Sequence, residues 1–388
     1  MRSSWWVRIM SIVVVALVTL PGLAAGKGLK AGWIYVGPTE DMGWTYAHDR
    51  ARLICEQTFP WLETVYVENV PEAEVETYID QMVAQGCDVI FTTSFGYQTG
   101  TLAASQRYPD KIFGQIAFLG SAPNVVRYFA DLYQLSYLCG LMAGALTESG
   151  KVGFVAAVPV PELKRNINAT TIGLREVKPD AEVYVTWIYE WYNPAAAKEA
   201  AEALIAEGCD VLFYVEDSPT VVQVAAEHGF PSFGHYSNMY EFAPEHVVTS
   251  KVVHWEKIYI DFLSKVFAGA YKAGELEDVF YWGLVGDGSA QLEAGPGEMI
   301  NPVFEESLRS TFVDDPILGK LSVYDLVMAR LAQMKDPQMV FDPFQGPIYD
   351  RDGNLRIPEG TRADYEEIFF EMEWAVPGVV GAWPGLQD

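Results

Sequence analysis
Two ten-residue segments of the chain nearly superpose: 82–91, MVAQGCDVIF, and 204–213, LIAEGCDVLF, which lie 122 positions apart. Each reads as the end of a helix, a glycine that lets the helix stop, and a short apolar strand entered through Asp. A repeat of 122 residues is the size of a domain and too long for a solenoid unit. The chain is therefore expected to form two similar α/β lobes, and two lobes enclose a cleft.

The stretches around the repeat alternate in the same way. In the first half, 30–36, 64–67 and 88–92 read as strands, with helices over about 44–59 and 73–85. In the second, 152–157, 182–189 and 210–215 read as strands, with helices over 162–176 and 194–207. Short apolar runs bounded by Gly and Asp suit strands buried on both faces, the mark of parallel sheets built from βαβ units. Right-handed crossovers then cover both faces with helices, so the fold class is α/β, two doubly wound Rossmann-like lobes. The last third is less regular. It holds helices over 303–310 and 322–332, a further helical stretch around 314–340 with no functional account, and a hairpin over 347–356 turning at Asp352-Gly353. Asp350 and Asp352 there are read as turn formers, since the other ligands of a calcium loop are missing.

In doubly wound sheets ligands bind at the carboxyl ends of the strands. That rule selects the loops 37–44, 93–97, 158–168, 190–193, 216–219 and 235–238. They are rich in Trp, Tyr, Phe, Asn and acids. Their only cations are Lys164 and Arg165, which turn away from the cleft in half of the possible helix phasings. Aromatic plates with hydrogen-bonding groups and no cation suit a flat, neutral, polar ligand. A phosphate or carboxylate ligand would call for Arg or a glycine-rich cradle.

Composition narrows the function classes. With 26 basic and 52 acidic residues the net charge is −26, which repels phosphate backbones and excludes nucleic acid as a partner. Arg2 and Arg8 precede a run of apolar residues over 9–20 and small residues over 21–26. This reads as a signal peptide over 1–25, cleaved near Ala25, of a protein exported to the periplasm. The apolar run is shorter than the about 20 residues that span a membrane. Cys55, Cys87, Cys139 and Cys209 form no C-x-x-C pair and are expected to be free and buried. No metal, cofactor or catalytic residue is expected: H-E-x-x-H, G-x-S-x-G, Walker A and G-x-G-x-x-G are all missing. A triad of Ser94, His235 and Asp217 can be assembled only on paper. His48 is read as a surface histidine.

The ordered set of short motifs resembles a known family. They are Tyr35-Val36-Gly37-Pro38, Asp41-Met42-Gly43-Trp44-Thr45, Thr93-Ser94-Phe95-Gly96-Tyr97, Asn124-Val125, Pro159-Val160-Pro161-Glu162 and Asp217-Ser218-Pro219. Their order and spacing are similar to those of the basic membrane protein family of ABC-transporter substrate-binding proteins, over about 30–383. The resemblance implies a periplasmic-binding-protein type I fold, with lobe 1 over 28–122 and 252–330 and lobe 2 over 123–251 and 331–388. It also implies a purine or nucleoside ligand, delivery to ABC permease subunits in the membrane, and no catalysis.

In that family a first-loop aromatic stacks on the purine, and its match here is Trp44, flanked by Asp41 and Thr45. The family's ribose-binding Asp is matched by Tyr236. The family's lysine is not matched: Lys251 comes too early, and Trp255 fills the region. Losing both charged groups leaves sugar hydroxyls without partners, at a cost of about 1–3 kcal/mol each. The expected ligand is thus a free purine base of the adenine or guanine type rather than a nucleoside. Asp217 is a candidate acceptor for a base N–H, Glu162 and Asn168 are further polar candidates, and Asn168-Ala169-Thr170 also spells a glycosylation sequon. Ser94, Phe95, Tyr97 and Trp191 complete the expected walls. The alternatives are a receptor of the same fold for a nucleoside or another small aromatic solute, or a sensor feeding a signalling partner. The protein is expected to act as a monomer.

Overall fold
The computed structural model describes residues 28–117, 120–338 and 340–385. The expected signal peptide lies outside them. The first sheet has the order Phe280–Gly283, Val125–Ala130, Ile112–Ile116, Val89–Thr92, Leu29–Ile34, Leu62–Val67, parallel throughout. The second runs Ala290–Glu293, Val247–Val253, Ser232–Tyr236, Val211–Val215, Lys151–Ala156, Glu182–Trp187, Val379–Val380, and only Ala290–Glu293 is antiparallel to its neighbour. Five strands of each sheet therefore follow one plan, as the sequence repeat predicts. In both copies the repeat ends a helix identically. Cys87 N–H reaches Met82 C=O and Gly86 N–H reaches Val83 C=O; Cys209 and Gly208 do the same with Leu204 and Ile205. Both glycines take left-handed φ, 86° and 94°, which this double closure requires and glycine supplies without steric cost.

The central strands are buried along their whole length, VIFT in one lobe and VLFYV in the other. The largest apolar cluster runs through both lobes, and smaller clusters lie under the outer helices of each. The four cysteines are free and buried in these clusters. They act as small apolar residues, and burial pushes the Cys55 thiol up to about 12.

Sheet membership shifts the expected lobe boundaries. Strand Val125–Ala130 belongs to the first sheet, so the first crossover is Asp131–Leu132, entering helix Tyr133–Leu146. The chain returns through His254 into helix Trp255–Phe267, which packs on helix Trp44–Thr58 of the first lobe. A third crossing follows Phe280–Gly283, and Ala290–Glu293 joins the second sheet. Residues 290–330 thus continue on the second lobe, where helix Val323–Lys335 packs against helix Tyr133–Leu146.

The stretch 314–340 is not helical from its start. It opens with the hairpin Phe312–Asp315/Gly319–Ser322 before that helix begins. The second hairpin forms as expected, Ile348–Tyr349 pairing with Leu355–Ile357. Asp350 caps its turn by accepting from the Asp352 and Asn354 amides at 3.0 and 2.9 Å.

Candidate functional site
The carboxyl ends of both sheets face one cleft of about 510 Å³, part of it open to solvent. From the first lobe it is lined by Val36, Trp44, Ser94, Phe95, Ile116, Ala117 and Phe129. Val160, Pro161, Glu162, Arg165, Trp191, Asp217 and Tyr236 line it from the second, and Phe369 from the C-terminal segment. The lobes touch at its edge. Ser237 Oγ donates to the Met42 carbonyl, and Gly43 lies so close that a Cβ there would sit 2.7 Å from Asp217 Cα. Three non-glycine residues at this junction, Met42, Ala117 and Tyr236, hold left-handed φ of 62°, 48° and 62°, the kind of local strain that functional sites concentrate.

Trp44 opens the helix Trp44–Thr58 and is held from two sides. Its indole Nε1 donates to the Thr93 carbonyl at 2.6 Å. His48, Tyr236 and Trp255 stand nearly perpendicular to it, at centroid distances of 4.7, 5.0 and 5.4 Å. The indole is therefore fixed before any ligand arrives, and stacking on it costs little rotamer entropy. Across the cleft Tyr236 O–H donates to Glu162 Oε1 at 3.0 Å. Arg165 Nε donates to both oxygens of buried Asp131, at 3.0 and 2.8 Å. Of the fully buried polar atoms on the cleft residues, two lack a partner: Arg165 Nη2 and Asp217 Oδ1.

The cleft gathers carboxylates in a dry place. Burial pushes Glu162 up to about 7, against the opposing pull of Arg165. Burial, then the nearby Asp41 and Glu216, holds Asp217 well above the usual carboxylate range. Burial lifts Glu216 as well. The site favours neutral forms, and an anionic ligand would add a further unbalanced charge. Among the described residues no group of His, Cys, Asp and Glu is arranged to hold a metal ion.

The sequence matches the family of ABC transporter substrate-binding proteins described as PnrA-like, or Bmp, over residues 29–287. The chain belongs to this family. A purine-binding protein of Brucella abortus is 34% identical over 95% of this chain and 98% of its own length. A protein of Haloferax volcanii, named provisionally for ABC transport of glucose, is 37% identical over 68% of this chain; the chain spans 66% of that relative. Among solved structures, a solute-binding protein of Aeropyrum pernix aligns with a TM-score of 0.66 at 16% identity, over 80% of this chain and 92% of that one. One from Conexibacter woesei aligns at 0.58 and 21%, over 72% and 94%. These are periplasmic-binding-protein type I folds, as expected. Bmp proteins are carriers rather than enzymes: they bind small molecules for a membrane permease, a role that implies export. No described helix is long and apolar enough to cross a membrane.

Of the residues expected to form the Bmp site, Trp44, Ser94, Phe95, Glu162, Trp191, Asp217 and Tyr236 line the cleft, and five others do not. Asp41 is spent as a cap, accepting from the Gly43, Thr45 and Tyr46 amides at 2.8–2.9 Å. Burial still raises it to about 6. Thr45 Oγ1 accepts from the Gly37 amide at 3.3 Å and braces the loop. Tyr97 points into the first-lobe core and donates to the Val70 carbonyl at 2.7 Å. Asn168 is fully buried and ties the C-terminal segment through Trp374 O and Val376 N, which also closes its sequon to modification. Trp255 backs Trp44 from behind, stacked on His48 at 4.3 Å.

Further corrections follow. His48 is buried rather than a surface group, bonded to Tyr259 O–H at 2.7 Å. Ser94 Oγ donates to Glu72 at 2.5 Å, and neither ring nitrogen of His235 has a partner, so the paper triad does not assemble. Lys251 lies inside the second lobe with Nζ 3.3 Å from Ser136 Oγ, and burial lowers it to about 8. The cleft is not free of cations, because the helix Pro161–Val177 turns Arg165 into it. Phe129, Arg165 and Phe369 are the aromatic and charged lining residues that sequence reasoning missed. The apolar run 125–130 carried a usable signal for Phe129.

Proposed function
We propose that the protein is an exported monomeric receptor that closes on a free purine base and delivers it to an ABC permease. On this reading residues 1–25 are removed near Ala25 and the protein works in the periplasm. The observation that carries the proposal is the count of unmet polar groups. Arg165 Nη2 and Asp217 Oδ1 are the two buried lining atoms without partners, among walls dominated by Trp44, Phe95, Phe129, Trp191, Phe369 and aliphatic side chains. One donor and one acceptor suit the edge of a heteroaromatic ring, with the Trp44 indole as its stacking plate. A ribose or a hexose would bring several hydroxyls into the same space, each costing about 1–3 kcal/mol if unpaired. Tyr236 and Glu162 satisfy one another where a sugar would need a grip. Trp255 does not contribute to that argument, since it lies behind Trp44.

The name of the Brucella relative supports a purine. The name of the Haloferax relative favours a second reading, glucose, which a Trp plate and carboxylates would also recognise. Thermal melting of ligand-stripped protein separates them. A ligand that binds only the native state raises stability by RT ln(1 + [L]/Kd). Millimolar adenine, hypoxanthine and guanine should raise the melting temperature, and their nucleosides, pyrimidines and glucose should raise it less. A larger rise with nucleosides, or with glucose alone, overturns the proposal.

A further inference from the structure
Resting on that base-binding reading, we propose that Arg165 is a specificity-determining residue, its Nη2 group donating to a hydrogen-bond acceptor on an uncharged heteroaromatic ligand. The guanidinium is 1% exposed and its Nε is spent on Asp131, which is itself fully buried. Asp131 is held in turn by the indole N–H of Trp282 at 3.3 Å and the Tyr133 amide at 3.4 Å. Two rings flank the guanidinium. Phe129, from the first sheet, lies 5.1 Å from its carbon, and Phe369, from the C-terminal segment, 4.8 Å. A planar cation flanked by two rings and fixed by Asp131 has little freedom left to lose.

What remains unmet is Nη2, buried, without an acceptor, on a residue that lines the cleft. A buried donor left unpaired is costly, so its partner is expected to arrive with the ligand. The charge of that partner follows from Asp131. Because the cation is already balanced inside the protein, a ligand carboxylate or phosphate would stand uncompensated near Glu162 and Asp217. A ring nitrogen or a carbonyl oxygen adds no charge. Asp217 Oδ1 also lacks a partner; as the carbonyl oxygen of a neutral carboxyl, with the proton on Oδ2, it accepts, so the fitting edge carries one acceptor and one N–H. Phe369 lies beyond the matched family region of 29–287, so part of this setting comes from the C-terminal segment.

Calorimetric titration of the mature chain tests the assignment with adenine, hypoxanthine, and analogues lacking one ring nitrogen or the exocyclic group at a time. In the wild type, one analogue should bind about tenfold to a hundredfold more weakly than its parent, the range for a hydrogen bond to a charged group. Arg165→Met should weaken the parent by the same factor and bind that analogue equally well. The proposal is overturned if every analogue matches its parent, or if Arg165→Met still discriminates. Should Arg165→Met fail to fold, Asp131→Asn keeps the guanidinium but frees its charge. That variant should bind a purine carboxylate at least about tenfold better than the wild type does, and no gain overturns the proposal. Failure of the wild type to bind any purine is a different result, which overturns the base-binding reading and this inference with it.

Discussion

Gly43→Ala should hold the two lobes apart. An ideal Cβ on Gly43 would lie 2.7 Å from Asp217 Cα, 3.1 Å from its carbonyl carbon and 3.2 Å from its Cβ. Two of these are backbone atoms that no rotamer change can move. All three of these atoms belong to Asp217 of the second lobe, so the contact lies across the cleft. Overpacking of this kind costs about 1–3 kcal/mol. Here the strain exists only when the lobes are closed, so it appears in ligand affinity and not in the stability of either lobe. The Kd should rise about fivefold to 150-fold, read by calorimetry with the purine that binds best. Small-angle scattering should show the wild type contracting on ligand addition and the variant contracting less. Unchanged affinity with unchanged contraction would refute the argument that Gly43 and Asp217 meet on closure.

Trp44→Leu should cost about 1–3 kcal/mol of binding through lost stacking, and Trp44→Phe less; calorimetry on variants with near-native melting checks this, and a Leu variant that binds normally refutes it. Glu162 is raised to about 7 by burial. The folded protein therefore holds its proton where the unfolded chain has released it, and ligand-free stability should fall as pH rises from about 4.5 through about 7. Denaturant titrations should show that fall in the wild type and its loss in Glu162→Gln. His254 sits in the returning crossover between Glu256 and Glu293, 2.9 Å from each. The hydrogen bonds its ring donates to the Glu256 and Glu293 carboxylates raise it to about 9. Its contribution, about 2 kcal/mol after solvent screening, should be complete below about pH 6.5 and vanish as pH rises through about 9. His254→Gln should flatten that part of the stability curve.

The architecture was legible because the repeat and the unbroken apolar runs are local signals, and burial on both faces leaves them no other sheet to form. Trp44, Asp217 and Tyr236 were legible because they sit in the segments at or after the carboxyl ends of strands, where the topology fixes which end faces the ligand. Arg165 was not. It lies inside a helix, and only the packing of Pro161–Val177 against Tyr133–Leu146 sets which face turns inward. Asp41 and Thr45 show the converse error. They sit in the right loop, yet the first-turn amides of Trp44–Thr58 and the Gly37 amide claim their oxygens first. Phe369 depends on a segment that returns from more than two hundred residues beyond its neighbour Phe129, a contact that no local pattern reports. The lobe boundaries differ for two separate reasons: the largely apolar stretch 125–130 is a fifth strand of the first sheet, and the crossing after Phe280–Gly283 carries Ala290–Glu293 into the second.

The central claim is that the cleft closes on a base and has no grip for a sugar. Calorimetric titration of the ligand-stripped protein with adenine and hypoxanthine, and then with adenosine, inosine and glucose, tests it most directly. The account predicts saturable binding of at least one base, with its nucleoside weaker by about tenfold or more and no heat from glucose. A nucleoside that binds more tightly than its base, or saturable binding of glucose, would contradict it.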